Sequence, residues 1–92
     1  MSAVLIGGMD RLRRVYMLAA GELGIDLKIF TGHERSLRKQ IGEPDMIILC
    51  TGKVSHSARL RAFKYADENS IPVEMIHSSG VSALKRCLEG RS

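Results

Sequence analysis

The order of apolar and polar residues along the chain predicts four strands. Met46–Cys50 is a run of five apolar residues without polar alternation and too short for a helix, which predicts a strand buried on both faces. Ser2–Ile6, with AVLI at its centre, ends at two glycines and predicts a second such strand. Residues 25–30 alternate apolar and charged positions, which is typical of an edge strand. A fourth strand is predicted over residues 72–76, beginning at Pro72.

Two helices are predicted in the first half of the chain. Asp10 is expected to cap the first helix and Gly24 to stop it. The apolar residues of this helix follow three-four spacing and are expected to face the sheet: Leu12, Val15, Tyr16, Ala19 and Leu23. The second helix, over residues 34–41, is short and has only Leu37 and Ile41 for its inner face. Each helix should therefore pack through a single apolar stripe.

Two more helices are predicted in the second half. The third covers residues 58–68 and is capped by Ser55 or Ser57. Its packed face is expected to be bounded by Leu60, Phe63 and Ala66 or Asp67. The fourth helix follows Gly80, and its inward residues are expected to be Val81, Leu84 and Leu88. The last residues, Gly90, Arg91 and Ser92, are expected to form a frayed tail.

This alternation of strands and helices predicts one α/β domain over residues 1–92. Short joints between alternating elements favour parallel strands and right-handed crossovers. The two continuously apolar strands belong at the centre, which predicts a small flavodoxin-like or Rossmann-like three-layer domain with a four-stranded parallel sheet in the order 2-1-3-4. A sheet of four strands leaves apolar edges and a small core, so we expect a homodimer.

Composition places the protein among soluble globular domains. The hydrophobic share is 45% and the charged share 26%, and the longest apolar run is far short of a membrane span. The first residues lack the layout of a signal peptide, so the chain is expected in the cytoplasm, without a membrane partner. Cys50 and Cys87 are expected to be plain thiols. A formal charge of +4 favours an anionic partner, while 4% aromatic residues disfavour single-strand stacking platforms.

The strand-to-helix loops form the expected binding site. In an open parallel sheet, ligands bind beyond the carboxyl ends of the strands where the strand order reverses. For the order 2-1-3-4 this point lies between residues 7–10 and 51–56, with the loops at 31–33 and 77–80 on the same rim. All three histidines, His33, His56 and His77, fall in these loops, which also favours a site there.

Glycine, hydroxyl and basic residues concentrate in these loops. Taken singly, each glycine fits a turn and each serine fits a helix cap. Together, at helix N-termini, they favour a pocket of N–H groups that binds a small anion such as a phosphate or carboxylate. The candidate ligand-binding residues are Gly7, Gly8, Asp10, Thr51, Gly52, Lys53, Ser55, His56, His77, Ser78, Ser79, Gly80 and Ser82.

Known catalytic signatures are missing from the sequence. The loop after the first strand lacks the third glycine of a dinucleotide fingerprint, and no GxxxxGK[ST] phosphate loop is present. Thr51 stands where a response regulator needs an acidic residue. As a nucleophile paired with His56, Ser55 would point away from its neighbour, and Cys50 is expected to be buried. For a metal, only His56 and His77 form a plausible pair. We therefore expect a non-enzymatic ligand-binding or regulatory module.

A second interpretation uses the basic residues of the first three helices. They are expected mostly on the outer faces of these helices. Basic residues there are ordinarily only solvated, and the alternative is that they bind nucleic acid. These residues are Arg11, Arg13, Arg14, Arg35, Arg38, Lys39, Arg59, Arg61 and Lys64.

Four motifs together resemble a bacterial family. LIGGMDRLRRVY, TGH, TGKVSH and SSGVSALKR, in this order, make the chain similar to domain of unknown function 2325 over about residues 3–89. Many members carry an acidic residue before the VSH motif, where this chain has Gly52 and Lys53. For a branch near nitrogen-fixation genes, the resemblance implies a haem-binding sensor or oxygen-binding protein. It implies His56 or His77 as the axial ligand, with Ser and Arg groups for the propionates.

Overall fold

Four strands form one parallel sheet in a computed structural model that describes residues 1–90, apart from the side chain of Arg38. The strands are β1 (Ser2–Ile6), β2 (Asp26–Phe30), β3 (Met46–Cys50) and β4 (Val73–Ile76). They lie in the order β2-β1-β3-β4, and every neighbouring pair is parallel. The predicted order and direction are confirmed, so the protein has a small α/β, flavodoxin-like domain.

Burial along the strands follows their positions in the sheet. All five residues of β3 are buried, because helices cover both faces of this central strand. In the edge strand β2, Asp26 and Lys28 are exposed while Leu27 and Ile29 are buried. Ile6 pairs with both Phe30 and Leu49, so the carboxyl ends of β1, β2 and β3 lie level with one another. The loops that follow these strands therefore share one rim.

Helices cover both faces of the sheet. On one face, α1 (Arg13–Glu22) and α4 (Val81–Glu89) pack around a cluster that includes Leu5, Tyr16 and Leu84. On the other, α2 (Leu37–Ile41) and α3 (His56–Glu68) pack around a cluster that includes Ile47 and Ala62. The predicted inner residues of α2 and α4 are buried or packed against these clusters: Leu37, Ile41, Val81, Leu84 and Leu88. Arg91 and Ser92, part of the predicted frayed tail, lie outside the described residues.

Two expectations for the first helix are wrong. A 3₁₀ turn over Asp10–Leu12 precedes α1, and the Asp10 side chain makes no capping hydrogen bond. Val15, expected to face inward, is 44% exposed, and Ala20 is buried instead. Tyr16 anchors the helix, and the small side chains of Ala19 and Ala20 flank it towards the sheet. The inner stripe is therefore rotated away from Val15.

The third helix also packs through smaller residues than expected. Of the residues expected to bound its packed face, Ala66 is buried and Phe63 packs against the cluster, as predicted. Leu60 is 55% exposed and Asp67 is exposed, and Ala58 and Ala62 take the buried positions instead. The alanines recur every four residues and allow the helix to approach the sheet closely. Of the two predicted caps, Ser55 accepts a hydrogen bond from the Ala58 N–H at 3.2 Å. No helix within residues 1–90 combines the length and the apolar content that a bilayer span requires.

Candidate functional site

A shallow depression of about 290 Å³ lies at the carboxyl ends of β1, β2 and β3. We call it the rim depression; it is lined by Gly7, Gly8, Met9, Asp10, Arg11, Thr31, His33 and Lys53. Three strand-to-helix loops contribute to it, because their strands end at the same level. Four candidate residues are thus brought together: Gly7, Gly8, Asp10 and Lys53. Thr31 and His33 join them from the neighbouring loop.

The two glycines of this depression lie in closely packed surroundings, and Gly7 has no room for a side chain. Gly7 has φ +94°, and a Cβ there would lie 2.4 Å from Val54 Cγ2 and 3.0 Å from the Cys50 carbonyl oxygen. At Gly8 a Cβ would lie 3.0 Å from Leu5 Cδ2. The loop after β1 consequently lies directly against the loop after β3. This contact places Lys53 beside the 7–10 loop.

Positive charge dominates the rim depression. Arg11 and Lys53 line it as cations, and the imidazole of His33 lies with them. The acidic residue Asp10 forms an ion pair with Arg13, whose Nη2 lies 3.1 Å from Asp10 Oδ1. Arg13 is held in place by a second hydrogen bond of 3.0 Å from Nη1 to the Ile29 carbonyl. The charge of Asp10 is thus largely compensated within the protein.

Glu34 organises the loop that follows β2. Its carboxylate accepts hydrogen bonds of 2.9 Å from the N–H groups of Thr31 and Gly32. The Thr31 hydroxyl donates a third bond of 3.2 Å. Burial raises the pKa of Glu34, but backbone bonds from Thr31, Glu34 itself and Gly32 outweigh it, so the pKa is lowered overall. This side chain occupies the backbone donors that a ligand anion would otherwise meet at this loop.

Replacing Glu34 with Gln is expected to destabilise the protein by about 1–2 kcal/mol at neutral pH. The two N–H groups donate to different carboxylate oxygens, whereas the Gln amide has only one oxygen and no charge. The lowered folded-state pKa means that Glu34 stabilises the fold at pH values above its unfolded pKa. This contribution is lost as pH falls through the folded-state pKa. Urea unfolding from pH 7 to pH 3 measures the effect.

Glu43→Gln is the matched control, since Glu43 is exposed on the loop before β3. The free energy of unfolding of Glu34→Gln should approach that of the wild type as pH falls through the folded-state pKa, because Glu34 then becomes protonated in both states. An equal loss for both variants, or a difference independent of pH, would contradict the role of the Glu34 carboxylate.

The loops after β3 and β4 are joined to each other. The Thr51 N–H donates to the Ile76 carbonyl at 2.8 Å, and the Gly52 N–H donates to the His77 carbonyl at 3.3 Å. A Cβ on Gly52 would lie 2.7 Å from that same carbonyl oxygen. Cys50 Sγ donates to it as well, at 3.4 Å. The N–H groups of Thr51 and Gly52 are therefore committed to the fold.

Tyr16 connects opposite parts of the rim. Its hydroxyl donates to the carbonyl of Ser79, which is buried, and accepts a hydrogen bond from the Met9 N–H at 3.1 Å. Ser78 Oγ accepts a bond of 3.0 Å from the Gly80 N–H, which shapes the turn before α4. These contacts give Ser78, Ser79 and Gly80 structural roles. Their predicted role in ligand binding stays a prediction.

The remaining candidate residues lie outside the rim depression. Ser55 caps α3, His56 is the exposed first residue of that helix, and Ser82 is exposed in the first turn of α4. His77 is exposed after β4 and lines a different depression. Within residues 1–90, no group of three or more His, Cys, Asp or Glu side chains could hold a metal ion.

A larger depression of about 630 Å³ lies along the outer side of β4 and α4. We call it the edge groove; it is lined by Glu74, Met75, Ile76, His77, Ala83, Arg86, Cys87 and Gly90. Burial raises the pKa of the Cys87 thiol, so Cys87 is a poor thiolate ligand at neutral pH. His77 is therefore the main metal ligand that this groove offers, through a ring nitrogen.

A third depression, of about 350 Å³, lies between α2 and α3. We call it the basic groove; it is lined by Arg35, Ser36, Leu37, Lys39 and Arg61. Its three cations have no ion-pair partner among the side chains that the structure describes. Mutual repulsion among them would be relieved by an anion.

The sequence interpretation overlooked Arg11 as a residue of the site. It was assigned to the outer face of a helix that began at Asp10, whereas the 3₁₀ turn Asp10–Leu12 places it at the rim depression. Its position directly after the loop at residues 7–10 was the signal that could have identified it. The short turn was hidden because its three residues also fit a helical pattern.

Comparison with known proteins gives one match. The sequence profile of a family described as "Uncharacterized protein conserved in bacteria (DUF2325)" matches residues 2–90. No match is found among curated proteins or among solved structures. The matched range includes all four strands and all four helices described above. The chain therefore belongs to the bacterial DUF2325 family.

Proposed function

We propose that the protein is a non-enzymatic, cytoplasmic ligand-binding or regulatory module that holds a small anion in the rim depression. The observation that carries the proposal is the convergence of Arg11, Lys53 and His33 on one depression whose acidic residue, Asp10, is paired with Arg13. Arg11 and Lys53 attract an anion, because Arg13 compensates the one carboxylate of the lining. Their side chains and the ring N–H of His33 can donate hydrogen bonds to it. A phosphate or carboxylate group has the charge and the acceptors to match.

The shape of the depression favours binding over turnover. It is about 290 Å³ in volume and shallow, so a bound group would stay in contact with water. Catalysis of acyl or phosphoryl transfer draws much of its power from electrostatic groups in a water-excluded site. A site that exchanges its ligand readily with solvent suits a sensor whose occupancy follows ligand concentration.

Inorganic phosphate and pyrophosphate are suitable first probes. We expect either anion to raise the melting temperature of the wild type, because a ligand that binds only the folded state stabilises it. The shift should be lost in Arg11→Ala and in Lys53→Ala, each of which removes one cation from the depression. Lys85→Ala is the matched control, since Lys85 is exposed on α4 outside the lining, and its shift should equal that of the wild type.

The same variants separate specific binding from general ionic effects. Equal shifts in all variants, or a shift reproduced by chloride at the same ionic strength, would overturn the proposed site. Isothermal titration with pyrophosphate then gives the affinity and the stoichiometry. Asp10→Asn should strengthen binding, because it removes the nearest carboxylate while leaving the loop intact.

The basic groove favours nucleic acid as a second candidate. Arg35, Lys39 and Arg61 could contact successive phosphates, and such binding would weaken steeply as salt rises. When a short oligonucleotide replaces phosphate as the probe, this function predicts binding that Arg61→Ala weakens and Lys53→Ala leaves unchanged. The two variants therefore distinguish the rim depression from the basic groove.

The edge groove favours haem as a third candidate. His77 would supply an axial nitrogen and Arg86 a partner for a propionate, and haem would bring ligand binding at its iron. His56 does not line this groove, so the haem hypothesis rests on His77. A Soret band on addition of haemin that His77→Ala abolishes and Lys53→Ala retains would favour haem over the rim-bound anion.

A further inference from the structure

We propose that the protein forms a symmetric homodimer in which α1 packs antiparallel against α1 of a second copy, with Leu18 on the two-fold axis. This interaction surface is separate from the three depressions described above. It rests on the exposed side of α1 and on the order of charges along that helix.

Three apolar residues of α1 are exposed, and two of them, Val15 and Leu18, lie one turn apart on its outward side. The third, Met17, lies towards β2, where it lines a depression with Leu27 and Phe30. Val15, Met17 and Leu18 are 44%, 50% and 60% exposed, respectively. Single exposed apolar residues are ordinary on a protein surface, whereas the neighbouring pair Val15 and Leu18, with a charged residue on either side, favours an interaction surface. Leu18 lies furthest from the sheet, because Tyr16, Ala19 and Ala20 form the buried side of the helix.

Symmetry determines which residues would meet across such an interface. When two antiparallel helices are related by a two-fold axis at residue 18, position 18 − n faces position 18 + n of the partner. Residues three and four positions away share the face of Leu18. Arg14 therefore lies at the level of Glu22 of the second copy, and Val15 at the level of Gly21, each pair occurring twice.

Both pairs are complementary. Arg14 and Glu22 are exposed, carry opposite charges and have no ion-pair partner among the side chains described in residues 1–90. Within residues 1–90, and apart from its chain neighbours and the backbone of its own helix, no atom lies within 4 Å of the position that a Cβ on Gly21 would take. The open space over Gly21 therefore lets the two helices approach closely.

Area limits the strength of this dimer. A stable interface buries on the order of 800 Å² on each partner. The two longest dimensions of the domain are 30 and 25 Å, so a contact centred on α1, with α4 beside it, covers only part of one face. We therefore expect a dissociation constant in the micromolar range, about 10⁻⁶ to 10⁻⁵ M.

The second copy is also the occupant that the charges select. Arg14 and Glu22 lie on opposite sides of Leu18 at equal spacing, so α1 is self-complementary only when antiparallel. A parallel arrangement would place like charges together, which is unfavourable. The open edge of β4 offers a competing surface, because Met75 is 60% exposed there.

Sedimentation velocity of the full chain across the micromolar range tests the proposal. The wild type should shift from monomer to dimer as concentration rises. Leu18→Glu should remain monomeric throughout, because it places two carboxylates together at the axis. Leu60→Glu is the matched control, since Leu60 on α3 is similarly exposed and lies on the opposite layer, and its dimer should be unchanged.

A charge exchange tests the antiparallel geometry directly. Arg14→Glu and Glu22→Arg should each weaken the dimer about tenfold or more, because each puts two like-charged pairs in contact. The double variant should recover wild-type affinity. Circular dichroism confirms that each variant is folded.

Two results would overturn the proposal: a wild type that is monomeric at every concentration, or a Leu18→Glu variant that still dimerises. If Met75→Glu abolishes that remaining dimer, the interface lies at the edge of β4 instead. Failure of the double charge exchange to restore affinity would overturn the antiparallel arrangement. Phosphate binding at the rim depression is measured independently, so neither proposal depends on the other.

Discussion

Replacing Gly7 with Ala is expected to destabilise the protein by about 3 kcal/mol or more. The left-handed φ of +94° costs an L-residue about 1–2 kcal/mol. The new Cβ would also lie 2.4 Å from Val54 Cγ2, and relieving such overlap in a packed site costs about 1–3 kcal/mol. Urea unfolding at fixed protein concentration and pH measures the loss directly.

Gly24→Ala separates the two causes. Gly24 has φ +73°, but in the described part of the chain no atom beyond its immediate neighbours lies within 4 Å of its Cβ position. Its substitution therefore carries the conformational cost alone, about 1 kcal/mol. Val54→Ala in the Gly7→Ala background should recover part of the remaining loss, because it removes the overlapping methyl group. Equal losses for the two glycine variants would show that the loops after β1 and β3 do not approach as described.

The contact at Gly7 also bears on the proposed site. It brings the loop at residues 7–10 against the loop that carries Lys53. A variant that separates these loops should weaken phosphate binding even where it remains folded. Phosphate-induced stabilisation of Gly7→Ala should therefore be smaller than that of Gly24→Ala.

Replacing Ala62 with Leu is expected to destabilise the protein by about 3 kcal/mol. Ala62 is buried between α3 and the sheet, in the cluster that contains Ile47 and Leu49. Three additional carbon atoms at this position would push the helix away from the sheet or force neighbouring side chains out of their preferred rotamers. Thermal unfolding should show a decrease in melting temperature of roughly 15 °C for a domain of this size.

Leu60→Ala is the paired measurement on the same helix. Leu60 is 55% exposed, and Ala has the higher helix propensity, so the free energy of unfolding should change by less than about 1 kcal/mol. A large loss for Leu60→Ala together with a small loss for Ala62→Leu would mean that α3 packs through its larger apolar residues. That result would restore the stripe expected from sequence.

Much of the fold follows from local sequence patterns. Met46–Cys50 is apolar at every position and residues 25–30 alternate, so both the buried central strand and the edge strand were predictable. Helix–strand alternation with short joints leads to a parallel sheet, and relative hydrophobicity leads to the order 2-1-3-4. Because strand ends share an edge in such a sheet, the loops of the candidate site were also predictable.

Tertiary contacts decided the rest. Val15 and Leu60 belong to apolar patterns, yet alanines take the buried positions because close helix–sheet approach favours small side chains. The 3₁₀ turn at Asp10–Leu12 moves Arg11 to the rim, and the carboxylate of Glu34 takes up the N–H groups of Thr31 and Gly32. Periodicity records which residues are apolar along one element. Which of them meet the sheet, and which donors remain for a ligand, depends on distances between elements that are far apart in sequence.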